Sequence, residues 1–410
     1  MQDGPDGQRR ELITLAVALV LAMSPWFSTA AVLGQLREAW NLTATQGSWL
    51  TIIVQIGFVV GALISSLTNL ADRVSPRRLI FLGAMGAAGA NLVVVAAEPF
   101  GQAFLIAEFA RFMTGVFLAG VYPPALKAMS AWYRQGRGFA LGVMVGALTL
   151  GSALPHLINA IGGIQWQITL VIVSLLTALG GMIALRICKD GPFAVAPAVF
   201  DASQLKNVLR NRDFRLASAG YFGHMWELYA MWAWIAAFYG DIFSSNRRAS
   251  LAAFLVIGAG AAGSVYAGAM SDRQSRSDAA ALAMRWSASV AVVMGFLIDA
   301  PLPIVVGLGL VWGFWVVADS AQFSAIVTEV VDVRYVGTAL TVQLATGFVL
   351  SIFTIFLVPI IQEAYGWGWA FLILAPGPLL GAWAMRMLRL GPRLVLEPEP
   401  EPEVWVSPFF

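Results

Sequence analysis

Ala71-Asp72-Arg73 and Ser271-Asp272-Arg273 stand 200 positions apart, and each follows a long apolar run. The first belongs to Thr68-Asn69-Leu70-Ala71-Asp72-Arg73-Val74-Ser75-Pro76-Arg77-Arg78. The second belongs to Gly268-Ala269-Met270-Ser271-Asp272-Arg273-Gln274-Ser275-Arg276. In a chain of 410 residues the offset is about half the length, so one half reads as a copy of the other. A second echo agrees: Gly138-Phe139-Ala140-Leu141 and Gly337-Thr338-Ala339-Leu340 are 199 positions apart. Membrane carriers are commonly built from such repeats, with the solute site between them.

Composition places the chain in a bilayer. Apolar residues make up 59% and charged residues 12%, against roughly 45–50% and about 25% in soluble domains. A net charge of +2 gives no reason to expect a nucleic-acid partner. Cys188 is the sole cysteine, and His156 and His224 are the only histidines. No disulfide, metal site or cofactor is therefore expected.

A spanning helix takes about 20 apolar residues. Twelve segments fit, near 12–33, 46–68, 79–97, 102–125, 138–161, 167–187, 214–238, 250–270, 279–298, 302–327, 337–361 and 367–388. Helix is the default because lipid cannot satisfy backbone polar groups, and the alternating ten-residue strands of a barrel are missing. The run after Arg9 and Arg10 is longer than the 7–15 residues or so of a secretory h-region, so it reads as a retained first span. With twelve spans both termini share a side. Arg37, Arg247 and Arg248 fall opposite and Arg111 falls inside a span, which leaves 21 of the 25 Lys and Arg on the side of the termini. That asymmetry predicts cytoplasmic termini. The expected plan is an all-α integral membrane protein with two pseudo-symmetric six-helix lobes, 1–187 and 214–390. A cytoplasmic linker, 188–213, joins them, with a short amphipathic helix near Asp201–Leu209. The Glu-Pro-rich tail, 391–410, reads as extended and disordered.

The loops after spans two and eight resemble the loop signature of the major facilitator superfamily, in which a glycine, three residues and Asp-Arg precede a basic pair. The second copy keeps the leading glycine as Gly268. The first has Thr68 there, and Ser75 where the family has a later glycine. The resemblance implies that Asp72, Arg73, Arg77 and Arg78, echoed by Asp272 and Arg273, form a cytoplasmic gate that latches the lobes in one state. A carboxylate suits this because it pairs with Arg and with a neighbouring helix dipole. A plain basic loop is the competing reading; the acid repeated in both copies argues against it. Arg111-Phe112-Met113-Thr114-Gly115 resembles a second family motif, an intramembrane Arg with Gly four residues on. The Gly-Pro and glycine-pair pattern of proton-driven drug antiporters is missing from span five, whose Gly142, Gly146 and Gly151 instead suit close helix packing. Spans two and eight lack the arginines of nitrate-type carriers.

Charge inside the bilayer is expensive and marks function. His224 and Glu227 are three apart on one face of span seven. A carboxyl group in low dielectric keeps its proton, and a histidine titrates near neutrality. Asp319 in span ten faces Gly120 in the repeat alignment and needs a partner, either Arg111 or His224. Glu227, His224, Asp319 and Arg111 are thus the proton-coupling candidates, against the alternative of neutral, hydrogen-bonded structural groups. Trp26 after the helix-bending Pro25, with Trp226, Tyr229, Asn159 and Gln343, are the candidates for lining a solute cavity. Ser24, Ser28 and Thr29 would satisfy backbone groups freed at the bend. Trp234 and Tyr239 read as interfacial aromatics.

The expected protein is a monomeric secondary transporter of a small polar or organic solute, with protons as its coupling ion, in a bacterial inner membrane. The alternative is a non-transporting sensor or receptor of the same fold; the short loops provide no domain for it. An enzyme is not expected, since no Ser/His/Asp set, His/Asp cluster or phosphate-cradling loop is present.

Overall fold

A computed structural model describes residues 7–162, 165–193 and 201–388. The side chains of residues 44, 71, 72, 162, 202 and 333 lie outside the description, as does the whole Glu-Pro-rich tail. Among the described residues the regular structure is helical throughout. The first half runs α1 (Gln8–Ala22), α2 (Ser28–Ala31), α3 (Leu33–Trp40), α4 (Ala44–Leu67), α5 (Leu70–Arg73), α6 (Pro76–Ala96), α7 (Ala103–Leu118), α8 (Tyr122–Ser130), α9 (Arg137–Gly162) and α10 (Trp166–Arg186). After the linker helix α11 (Leu205–Arg210) come α12 (Arg212–Ile242), α13 (Asn246–Ser271), α14 (Arg276–Met294), α15 (Leu302–Ala318) and α16 (Ser320–Val330). The chain then runs through α17 (Val336–Tyr365), α18 (Trp367–Leu372) and α19 (Pro376–Met387).

Ten helices among the described residues are long and apolar enough to cross a bilayer, with α7–α8, α15–α16 and α18–α19 each counted as one. Two of the twelve expected spans depart from that standard for physical reasons. The segment 12–33 is not one helix: α1 stops at Ala22 and helix resumes at Ser28, because Pro25 has no N–H to continue the ladder. α12 is continuous over 31 residues, about 46 Å at 1.5 Å per residue. His224 and Glu227 in its middle, with Arg212, Asp213 and Arg215 at its start, lower its apolar character.

The outer surface carries large apolar side chains. Leu67, Phe109, Leu175 and Leu380 are 64–66% exposed, which suits lipid and not water. Inside, alanine is the commonest buried apolar residue and many glycines lie against neighbouring backbone, as close packing in a bilayer requires.

The contacts repeat as the sequence does. α4 packs on α7 as α13 packs on α15, α6 on α10 as α14 on α19, and α1 on α10 as α12 on α19. The halves meet along two seams, α9 against α13 and α4 against α17. The repeat carries α4 onto α13 and α9 onto α17, so each seam is the counterpart of the other. Along α9–α13 the backbones almost touch: a methyl added at Gly268 would meet the carbonyl oxygen of Gly138, and one at Gly142 that of Ser264. The expected role of Gly142 in close packing is met there.

Candidate functional site

The break after α1 exposes main-chain carbonyls inside the bundle. Ser24 Oγ donates to the Leu21 carbonyl at 2.8 Å and Ser28 Oγ to that of Pro25 at 3.0 Å. Arg111, fully buried on α7, supplies the rest. Its Nη1 donates to the Pro25 carbonyl at 2.7 Å and its Nη2 to that of Trp26 at 2.5 Å. Nε reaches the Leu50 carbonyl at 3.4 Å, and Nη1 also contacts Ser28 Oγ and Asn91 Oδ1, each at 3.2 Å. The guanidinium is thus spent on neutral oxygens. The sequence made Arg111 a possible partner of Asp319; the structure corrects that.

The acids gather in the second half. Asp319 sits at the break between α15 and α16, the place Gly120 holds between α7 and α8. Its Oδ1 lies 2.8 Å from Nδ1 of His224 on α12, with both side chains almost fully buried. The two atoms meet at ion-pair distance without the alignment of a hydrogen bond. Of the two partners proposed for Asp319, the structure provides His224. The imidazole packs beside the rings of Tyr221 and Phe323, 6.2 and 5.5 Å away. One turn on, Glu227 accepts from Ser287 Oγ on α14 at 2.8 Å and from Trp312 Nε1 on α15 at 2.7 Å. Three helices therefore hold two carboxyl groups and an imidazole away from lipid. Such a group of titratable side chains can take up and release protons as its neighbours shift.

Aromatic rings fill the centre between the halves. Trp26 stacks on Tyr229 with centroids 5.8 Å apart and planes 18° apart, and it also packs against Phe58 and Phe348. Phe27 bridges Tyr229 and Trp232. One turn from Phe58 and Phe348, Gln55 and Ser351 hydrogen-bond across the α4–α17 seam. On α9 a buried polar stripe runs through Thr149, Ser152, His156 and Asn159. Asn159 Nδ2 donates to the Ala31 carbonyl and to Ser250 Oγ, both at 2.9 Å, and Gln35 Nε2 donates to Asn159 Oδ1 at 3.3 Å. Of the expected cavity residues, Trp26 and Tyr229 lie at the centre. Asn159 joins the halves on the α9–α13 seam, and Gln343 is buried on α17. Trp226 differs: it is half-buried, beside Phe353, and its Nε1 donates to the Ile373 carbonyl at 2.8 Å. Trp234 and Tyr239 are not interfacial. Both are buried, with Trp234 Nε1 on the Ile355 carbonyl at 2.9 Å and the Tyr239 hydroxyl on that of Val305 at 3.3 Å.

At the end bearing the basic loops, the Asp272 carboxylate receives Gly138 N–H at 2.9 Å and Phe139 N–H at 2.8 Å. It caps the first turn of α9, where two free N–H groups and the helix dipole favour an anion. The twin residue Asp72 has its side chain outside the description. On the twin seam Ser66 and Thr341 are 3.2 Å apart, and the Thr338 hydroxyl accepts from the Asp201 N–H at 2.9 Å. Arg73, Arg78 and Arg273 lie around these loops and are at least partly exposed. Arg77 does not cross between the halves. It holds the start of the linker, donating to the Cys188 carbonyl at 3.0 Å and Asp190 at 3.2 Å. Arg276 in the second loop is buried and donates to Glu329 at 2.9 Å. Burial beside Glu11 pushes the Cys188 thiol up to about 12, so it stays protonated and inert.

Ser287, Trp312, Asn91 and the Gln55–Ser351 pair escaped the sequence reading. A polar residue in the middle of an apolar run was the available signal for Asn91, Gln55 and Ser287. Trp312 carried none, because a tryptophan in a span looks apolar until its N–H finds a carboxylate.

A family model described as Major Facilitator Superfamily matches residues 15–244. The chain is similar to the MFS-type transporter pytF of Aspergillus terreus, at 23% identity over 185 residues, 42% of this chain and 58% of that protein. It is also similar to the agnestins efflux protein AgnL12 of Paecilomyces divaricatus, at 29% identity over 133 residues, 31% of this chain and 30% of that one. The chain therefore aligns with about half of one relative and under a third of the other.

Proposed function

We propose, because this chain belongs to the major facilitator superfamily, that it is a membrane transporter and moves a small organic solute by proton-coupled alternating access. Two six-helix lobes, 1–187 and 214–390, rock about the α9–α13 and α4–α17 seams. The linker 188–213 and both termini lie in the cytoplasm of a cell whose inner membrane the protein crosses as a monomer. The observation that carries the coupling is the buried trio His224, Glu227 and Asp319, gathered in the second half of the bundle. Arg111 has no part in proton transfer, since its donors are committed to the α1 break. The solute binds where the halves meet, among Trp26, Tyr229 and their neighbours.

The test is purified protein in liposomes with a pH-sensitive dye inside, offered pooled solutes. A solute that moves protons with it establishes coupling. A solute that exchanges across the vesicle wall while internal pH stays constant removes it.

The gate follows from Asp272. Two charge-assisted hydrogen bonds at a helix terminus hold the lobes together at the cytoplasmic rim. Arg73, Arg78 and Arg273 add to the rim, while Arg77 anchors the linker. Asp272→Ala is expected to shift the lobes toward the state open at this rim by about fivefold, the scale of about 1 kcal/mol for an exposed anion at a helix terminus. Spin labels at the exposed positions Gln135 and Gln274 read the change as a larger population at long distance. An unaltered distance distribution rules out the latch.

A further inference from the structure

Inside the aromatic centre, two indole N–H groups have no acceptor. Trp26 Nε1 and Trp232 Nε1 are buried and make no hydrogen bond in the protein. Trp40 Nε1, beside Trp166 and away from these rings, is likewise unpaired, but several other indoles are not. Trp226, Trp234, Trp312 and Trp367 each place the same atom on an oxygen at 2.7–2.9 Å. A buried donor left unmade costs about 1–3 kcal/mol, and an indole N–H can only donate. The two indoles come from opposite halves and are joined through Phe27 and Tyr229. His156 adds to the set. His156 lies on α9 between Gly151, which packs against Val20 and Met23, and Asn159, which bonds the Ala31 carbonyl. Both of its ring nitrogens are unpartnered. The buried charges nearby are engaged elsewhere: Arg111 with carbonyls, Glu227 with Ser287 and Trp312, Asp319 with His224.

From these observations we infer that the solute is an uncharged, flat aromatic molecule carrying carbonyl-type acceptors. Its ring enters between Trp26 and Tyr229, which already stand nearly parallel, and its oxygens take the two indole N–H groups. The inference rests on the reading of the central interface as the solute site. Among the described residues an anion finds no free cation at the rings, and a cation finds no free carboxylate. A plain hydrocarbon leaves both donors unmet.

Three matched probes separate the cases: 9-fluorenone, which is flat with one carbonyl; fluorene, which lacks the acceptor; and 9-fluorenone-4-carboxylate, which adds a charge. Binding of each is measured by equilibrium dialysis against the full protein in lipid nanodiscs, with empty nanodiscs subtracting partition into lipid. Fluorenone is expected to bind saturably. Fluorene and the carboxylate are each expected to bind about tenfold more weakly, the scale of one or two hydrogen bonds. The double variant Trp26→Phe/Trp232→Phe keeps the rings and removes the donors, so it should lose the preference for fluorenone over fluorene while still binding both. The inference fails if the wild-type protein treats fluorenone and fluorene alike, prefers the carboxylate, or keeps its preference in the double variant. Saturable fluorenone binding with no solute movement in liposomes would leave this inference standing and remove the transport mechanism. Movement of a charged solute with no fluorenone preference would do the reverse.

Discussion

Glu227→Gln is expected to abolish accumulation of solute driven by a pH gradient while leaving solute exchange at equal pH intact. One proton moving down a gradient of one pH unit supplies about 1.4 kcal/mol, enough for about tenfold accumulation. Without a titrating group at this position the ratio across the membrane should fall to one. The amide keeps the shape of the side chain and an oxygen to receive Ser287 Oγ or Trp312 Nε1, so the helix contacts persist. Uptake into proteoliposomes with an imposed gradient, beside counterflow without one, reads both quantities. Accumulation that persists in Glu227→Gln moves the coupling role to His224 and Asp319, and Asp319→Asn then becomes the deciding variant.

Arg111→Ala should be the most destabilising single substitution in the first half. It removes the side-chain donor to the Trp26 carbonyl and one donor each from the carbonyls of Pro25 and Leu50 and the Asn91 amide oxygen inside the bundle. Hydrogen bonds to a charged group contribute about 1.5–3 kcal/mol each, so a loss of at least about 3 kcal/mol is expected. A thermal melt in detergent, followed by loss of monodisperse protein, measures it. Arg111→Lys should rescue little, because an ammonium cannot reach the several oxygens that the planar guanidinium spans. A variant that melts with the wild type would show that the bend at Pro25 holds without this brace.

The doubled Asp-Arg loop made the repeat legible, and the contacts of α4, α6 and α10 recur in α13, α14 and α19 as that repeat requires. The two echoes also meet in space: Asp272 of one caps Gly138 and Phe139 of the other. Pairing of His224 with Glu227 on one face was readable from spacing alone. Their partners were not, since Ser287, Trp312 and Asp319 come from helices 60 to 95 positions later, and helical spacing says nothing across that distance. Arg111 was legible as a buried charge and misread in its purpose. The rule that a bilayer charge seeks an opposite charge overlooks main-chain carbonyls, which a proline-broken helix offers in quantity. Trp234 and Tyr239 fell to a similar error: their hydrogen bonds to carbonyls of α17 and α15 pull them inward from the belt that composition suggests.

The order of the chain gives Arg111 a further advantage. Each of its oxygen partners, from Pro25 to Asn91, precedes it. When the ribosome delivers Arg111 to the insertion machinery, the acceptors that neutralise its cost are already made. Glu227 has the opposite history, for Ser287 and Trp312 are translated after it. The helix bearing it must wait, uncompensated, until the next three spans arrive, and misassembly during synthesis should concentrate there.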